Sequence, residues 1–286
     1  VNLELSVIIP CHNEAATLPH QLDALARQSW DGTWEVIVVD NASTDDTADT
    51  ARAHVGLSGR LRVVDARASK GVPYARRAGV EASSARSVAF CDGDDIVEEG
   101  WLAALGTALR DQPIVTGETN VDVINPPGLA RSRGTRKPGA PPLFAGVVFT
   151  RGNNHGMWRS VWDELDGFDE NFRGLEDVEF GLRAHAAGYR VHFEPAAIVH
   201  YRYRDEWRAL WRQAKFYGGS VPRLARRAEE LGLTPPRRLA GWRSWAWLVI
   251  NTPLLVRRSI RPRWVWTLGT RLGVLRGAIA ARRLQI

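Results

Sequence analysis

The 286-residue chain is poor in cysteine, lysine and long apolar runs, and one end of it has no acidic residue at all. Each scarcity excludes something. Two cysteines, Cys11 and Cys91, cannot build a disulfide framework and do not stand at metal-ligand spacing, so they read as buried thiols in a reducing compartment. The longest apolar run is the 12 residues from Trp245 to Val256, interrupted by Asn251 and Pro253, whereas a membrane-spanning helix needs about 20. Glu4 and the short apolar stretch from Val7 to Pro10 do not make a secretory leader, so a cytoplasmic location is expected. With 44% apolar and 24% charged residues, the composition is that of a folded globular protein, and the length suits one large domain or one domain with an appendage.

The acids are missing between Leu231 and Ile286. Residues 201–286 carry 18 arginines and Lys215 against four acids, a net +15, while residues 1–200 carry 19 basic and 28 acidic groups, a net −9. In the basic part the arginines are interleaved with Trp242, Trp245, Trp247, Trp264 and Trp266. Helices of this composition lie in a membrane interface, apolar face among the headgroups and cations on anionic lipid, each engaged basic residue contributing roughly 1 kcal/mol. Nucleic acid is a poorer partner, because no recognised binding motif is present and the acidic part repels phosphate. The plainer reading is a helical extension that packs on the rest of the chain, or on a second copy to give a homo-oligomer.

Leu5–Ile9 and Trp34–Val39 are short apolar runs with β-branched residues, closed by Pro10 and by Asp40-Asn41, and read as buried strands. Between them Leu18, Leu22 and Leu25 recur at helical spacing, with Asn13 as N-cap. The alternation continues with a helix over 45–53, a strand at 61–64, a helix over 73–82 and a strand at 87–91, which predicts a parallel sheet with helices on both faces. A helix over 101–109 and a strand near 114–116 follow. The Pro-, Gly- and Arg-rich stretch Asn125–Pro142 reads as a mobile loop. Beyond it come the apolar run 143–150, helices at 160–165 and 177–187, and a strand at 190–193. Ligands of such sheets bind beyond the carboxyl ends of the strands. Those ends carry Pro10–Glu14, Asp40–Asp46, Ala68–Gly71 and Asp92–Asp95.

Asp92-Gly93-Asp94, with Asp95 beside it, is an Asp-x-Asp turn directly after a strand. Carboxylates so spaced converge on a hard cation, and Mg²⁺ or Mn²⁺ commonly bridges protein carboxylates and substrate phosphates, which implies a diphosphate partner. Glu176-Asp177 opens a predicted helix. Alone, it reads as first-turn capping, where the helix dipole favours the ionised acid and the adjacent carboxylate opposes it.

Together with Pro10-x-x-Asn13-Glu14, the run Val39 to Asp45, Lys70-Gly71 and Ala75-Arg76, the Asp92-Gly93-Asp94 turn resembles the nucleotide-sugar half of family 2 glycosyltransferases. Gly167-Phe168-Asp169-Glu170, followed by Glu176-Asp177 and Arg183, resembles their acceptor half. The resemblance covers about residues 5–203. It implies the GT-A fold, Rossmann-related and mostly parallel, as a catalytic domain over 1–203 (nucleotide-sugar half 1–95, acceptor half 96–203), with a helical basic extension over 204–286. It further implies a metal-dependent, inverting transfer of a sugar from a nucleoside-diphosphate sugar to a hydroxyl, as on a lipid-linked or cell-envelope glycan, at the inner face of the membrane.

By the same resemblance, Asp177 is the general base with Glu176 beside it. Pro10, Asn13, Glu14, Asp40, Lys70, Arg76, Asp92 and Gly93 line the nucleotide-sugar site. Asp94, Asp92 and His200 hold Mn²⁺ or Mg²⁺. From its own residues, the loop of Asn153, Asn154 and His155 is the expected acceptor side, with Trp158 either stacking on a sugar face or packing in the core. A sugar nucleotidylyltransferase shares the sheet but starts with a Gly-rich phosphate loop, and here the first strand ends in Pro10-Cys11-His12-Asn13-Glu14. The alternative from another class is a non-catalytic membrane- or glycan-binding protein on the same fold, against which the set Asp92, Asp94 and Asp177 argues.

Overall fold

Strands β1 (Leu5–Cys11) and β2 (Trp34–Asp40) are buried at every position, as mostly apolar runs are when both faces of a parallel sheet are covered, and the polar Ser6 and Glu35 within them bond each other. The computed structural model describes residues 3–133, 137–172, 174–235 and 241–281. With β3 (Leu61–Asp65), β4 (Ser87–Cys91), β5 (Ile96–Val97), β6 (Ile114–Asn120), β7 (Asn154–Trp158) and β8 (Val191–His200), these strands form an eight-stranded sheet of order β3-β2-β1-β4-β7-β6-β8-β5. β1 is parallel to β2 and β4, β2 to β3, and β6 to β8. β7 runs antiparallel to both β4 and β6, and β5 antiparallel to β8.

Alternate residues of each strand face opposite layers. Val7, Ile9, Val36 and Val38 pack with Leu18, Leu22 and Leu25 of α1 (Leu18–Ala26) and with Trp101, Leu102 and Leu105 of α4 (Trp101–Asp111). Ile8, Ile37, Val39 and Phe90 pack with Ala75 and Val80 of α3 (Val72–Ala82), Val161 and Trp162 of α5 (Arg159–Glu164), and Phe180 and Ala184 of α6 (Glu176–Ala186). The predicted helix at 45–53 is shorter, α2 at Thr47–Arg52. Cys11 and Cys91 are free, buried thiols.

The apolar run 143–150 yields only two-residue strands, Leu143–Phe144 and Val147–Val148, and the central strand is β7, Asn154–Trp158. Two local expectations give way. β8 extends to His200, through a register shift between Glu194 and Ile198. Asn13 is not the cap of α1, which starts at Leu18 behind Thr17. Asn13 has φ 58°, a conformation that asparagine tolerates in turns.

The chain divides into two compact units. The sheet unit comprises the residues up to Asn120, Gly139–Pro142 and Val147–Tyr201; the second comprises Val121–Pro138, Leu143–Gly146 and the residues from Arg202 onward. Residues 121–138 and 143–146 therefore belong with the extension, which is not the continuous segment expected from 204. The supposed mobile loop carries a helical turn at Pro127–Ala130, and the Arg133 guanidinium lies 3.9 Å over Tyr203 and 4.1 Å over Trp266. Within the second unit, α7 (Trp207–Glu230) packs on α9 (Arg261–Ala280) through glycine. A Cβ at Gly273 would overlap the Lys215 carbonyl, and one at Gly277 the Gly219 carbonyl. Between them in sequence lies α8 (Trp242–Asn251). No helix among the described residues is long and apolar enough to cross a membrane.

Candidate active site

The loops after β1, β2 and β3 are bound to one another by their own side chains. Asn13 Oδ1 accepts the Thr44 backbone N–H (2.7 Å), and the Asn13 N–H donates to Ser43 Oγ (3.0 Å). The Glu14 N–H donates to Thr47 Oγ1 (2.8 Å), and Asp40 Oδ1 accepts the Ser43 N–H (3.1 Å). Asn41 reaches the third loop, donating to the carbonyls of Ala66 (2.6 Å) and Ser69 (2.7 Å) and accepting the Gly71 N–H (2.8 Å). Asn41 belongs to the recognised motif, yet it was not expected as the organiser of this edge. Pro10 is buried within β1, opposite Val39. Lys70 is exposed in the third loop.

The Asp-x-Asp turn is framed from below by Gln21 of α1, which is fully buried and donates to the Asp92 carbonyl (3.1 Å) while accepting the Val97 N–H (2.9 Å). Gly93 permits the close approach of the first loop, because a Cβ there would overlap Glu14 Oε2 and Cys11 Sγ. Carboxylate oxygens of Asp92, Asp94 and Asp95 lie within 4.8 Å of one another. Asp95, absent from the expected ligand set, is fully buried and accepts a hydrogen bond from Asn153 Nδ2 (2.7 Å). His200 is not among these grouped ligands: it ends β8 opposite Ile96, with Nε2 3.9 Å from Glu98.

Asp177 stands in the first turn of α6, directly after Leu175 in the left-handed conformation (φ 64°) and Glu176. Its Oδ2 accepts the Gly152 N–H (2.6 Å) and its Oδ1 the Val178 N–H (2.9 Å). Burial of the carboxyl, then repulsion from Glu176, raises the Asp177 pKa to about 7, against the opposing pull of Arg76 and of the two N–H groups. Burial and the adjacent acid thus outweigh the helix terminus. Arg76 donates to Glu176 Oε1 (2.9 Å), to the Gly152 carbonyl (2.8 Å) and, at 3.4 Å, to Asp92 Oδ1. The guanidinium expected near a nucleotide is turned inward, over the rings of Phe90 (5.9 Å) and Phe168 (5.4 Å).

The Gly167 motif has a structural task. Arg183 is held by Glu179 (2.9 Å) and donates to the Gly167 carbonyl (2.6 Å), fixing the turn that inserts Phe168 against Phe90, Trp162 and Phe180. Gly167 has φ 58°, and a Cβ there would overlap the Trp162 ring, so no other residue fits without strain.

Three of the four acceptor-side expectations are corrected. Asn154 is fully buried, accepting from Trp101 Nε1 (2.9 Å) and donating to the Glu118 (2.7 Å) and Ala197 (2.8 Å) carbonyls. His155 is fully buried and stacked on Phe90 at 4.7 Å, and burial, then Arg76, lowers its pKa to about 3, so it stays neutral. Trp158 pairs with Ser87 at the opposite end of β4 and donates to the Leu109 carbonyl (2.6 Å). Only Asn153 reaches the carboxylate edge. The cause is β7: an antiparallel strand starts at that edge and carries each later residue away from it.

The family model described as Glycosyl transferase family 2 matches residues 6–190, and one described as Glycosyl transferase family group 2 matches 142–278. The chain belongs to glycosyl transferase family 2. It is 30% identical over 261 residues to a pre-mycofactocin glycosyltransferase of Mycobacterium tuberculosis, covering 87% of this chain and 53% of that protein, so it spans about half of that relative's length. It is 28% identical over 199 residues to a PGL/p-HBAD biosynthesis glycosyltransferase of Mycobacterium bovis, covering 68% of this chain and 72% of the relative. In fold it is similar to the mannosyltransferase PcManGT from Pyrobaculum calidifontis, solved with GDP-Man and Mn²⁺ (TM-score 0.64, 19% identity, 97% of this chain and 87% of that one). It is also similar to S. aureus TarS 1-349 solved with UDP-GlcNAc (TM-score 0.58, 18% identity, 95% of this chain and 82% of that one). The sheet and its flanking helices are those of the GT-A fold.

Proposed function

We propose that the chain moves a sugar from a nucleoside-diphosphate sugar to an acceptor hydroxyl by single displacement, with inversion at the anomeric carbon. One observation carries this reading: the carboxylates of Asp92, Asp94 and Asp95 and the raised-pKa carboxyl of Asp177 share one sheet edge, joined through Arg76 and Gly152. The donor set fits a hard divalent cation, Mn²⁺ or Mg²⁺, because it offers only carboxylate oxygen and three like charges this close repel one another. Asp92 and Asp94 would hold the ion. When bound, it offsets charge on the departing diphosphate. The rest falls to the chain's own groups. Asp177, with a pKa about 7, takes the proton of the acceptor hydroxyl, a general-base contribution of about 10²–10⁴ in rate. The interlocked loops of Asn13, Glu14 and Asp40 form the nucleoside wall, with Asp40 toward the base. Fold neighbours solved with GDP-Man and UDP-GlcNAc support this donor class.

The acceptor is a lipid-linked or cell-envelope glycan, met at the inner face of an anionic membrane. Trp242, Val249, Ile250 and Val256 are exposed along α8 and the turn after it, among the exposed Arg243, Arg257, Arg258 and Arg261. The spacing 242, 249, 250 puts them on one helical stripe, and no acid lies in 231–286 to oppose anionic lipid.

A thermal-shift screen against UDP, GDP, dTDP and CMP, each with and without Mn²⁺, tests the donor site, since binding to the native state raises apparent stability. A shift for one nucleoside diphosphate that requires metal and vanishes in Asp94→Asn is the expected result. No metal-linked shift with any nucleotide would replace the enzyme by the non-catalytic binding protein.

A further inference from the structure

Arg76 is 2% exposed, so its charge is spent inside the protein. Its guanidinium meets three acceptors, and one of them, the Gly152 peptide, is shared. The Gly152 carbonyl accepts from Arg76 while its N–H donates to Asp177. The fit leaves little room for a side chain, since a Cβ at Gly152 would lie 3.1 Å from both Arg76 Nη2 and Asp177 Oδ2. The same Nη2 also reaches Asp92 of the carboxylate turn, and Nη1 holds Glu176 beside the base.

We infer that Arg76 is a positioning residue and not a nucleotide ligand: it ties the Asp92 carboxylate to the peptide that aims Asp177, and with Glu176 it sets the charge around that base. The inference rests on the proposed roles of Asp92 and Asp177. The charged groups acting on Asp177 are Glu176 from its own helix and Arg76 from α3, and two N–H groups bond it directly. Asp92 bonds the same Arg76 Nη2 that holds the Gly152 carbonyl, and His155, stacked on Phe90, is neutral. Phe90 and Phe168 line the guanidinium, and at an apolar site of this kind the loss of one charge is poorly screened. The two neighbours act in opposite directions, since a cation favours the carboxylate and an anion disfavours it.

The pH dependence of kcat/KM and the metal-dependent nucleotide thermal shift decide the matter together. With an ionised base required, the rate of the unaltered protein rises with pH through a midpoint near 7. Glu176→Gln moves that midpoint down by about 1 pH unit. Arg76→Gln moves it up by about 1 pH unit or more and so lowers the rate at pH 7 about fivefold or more, with the nucleotide shift kept. Arg76→Lys keeps the charge but loses the planar fork, so kcat falls while the midpoint stays. Should Arg76→Gln fail to fold, Glu176→Gln and Arg76→Lys still decide. Loss of the nucleotide shift in a folded Arg76 variant, or unmoved midpoints in Arg76→Gln and Glu176→Gln, would overturn this inference alone. An unaltered protein with neither turnover nor a metal-linked shift would overturn it together with the proposed activity.

Discussion

Each of the two units is packed internally by a different means. In the sheet unit, packing is made by side chains, Ile8, Ile37 and Val39 against Ala75 and Val80, and the loops are left to carry polar chemistry. In the helical unit the contact between α7 and α9 is made by the lack of side chains, at Gly218, Gly269, Gly273 and Gly277, and arginine is placed on aromatic faces, as Arg133 is on Tyr203 and Trp266. The first arrangement tolerates change at its edges, because the buried layers do not depend on them. The second tolerates little at its seam, since any added carbon meets backbone that cannot rotate away.

The largest expected effect falls on the sheet unit's chemistry. Asp177→Asn lowers kcat by about 10²–10⁴ in a sugar-transfer assay while the metal-dependent nucleotide shift survives, which separates the base from the donor site. Next comes the seam: Gly273→Val forces apart backbone in contact with Lys215, and urea titration followed by circular dichroism should show a loss of about 1–3 kcal/mol. A similar addition at exposed Val249 should leave the melt unchanged. Placing acids in the apolar stripe, Val249→Glu with Ile250→Glu, should cut co-sedimentation with phosphatidylglycerol vesicles without changing nucleotide binding, and equal sedimentation by both proteins would sink the membrane assignment.

The smallest effect is one of sign. The folded-state pKa of Asp177 is raised, so its contribution to stability is full below the unfolded carboxylate value of about 4 and is lost as pH rises through about 7. Asp177→Asn removes that decline. It should therefore melt higher than the unaltered protein at pH 8, by on the order of 1 kcal/mol after screening at a half-buried position, and the gap should close at pH 4.

Much of the sheet edge was legible because β1, β2 and β4 are parallel and buried on both faces, so each apolar run stops where a polar loop begins. Asp40, Asp92 and Asp94 follow from that rule. β7 was not legible. Asn154-His155-Gly156-Met157-Trp158 has no β-branched residue, and it is a strand because Asn154 satisfies three buried partners and Gly156 lets it lie against Val88 and Leu109. Arg76 shows a second limit: spacing put it on the right helix beside the right loop, but the direction of its guanidinium follows from Phe90, Phe168 and Glu176, which come from three other parts of the chain.

The reversed direction of β7 also bears on how the protein can diversify. A parallel strand brings its successor segment to the working edge, but β7 brings its predecessor, and through Asn153 and Gly152 that segment touches both Asp95 and Asp177. Insertions or exchanges just upstream of Gly152 would therefore remodel the surroundings of Asp177, whereas the same changes after Trp158 fall at the far end of the sheet and leave them alone. The pocket side of Asp177 can thus vary by lengthening one connection, with the Asp92 turn and the Asn13 and Asn41 loops kept as they are.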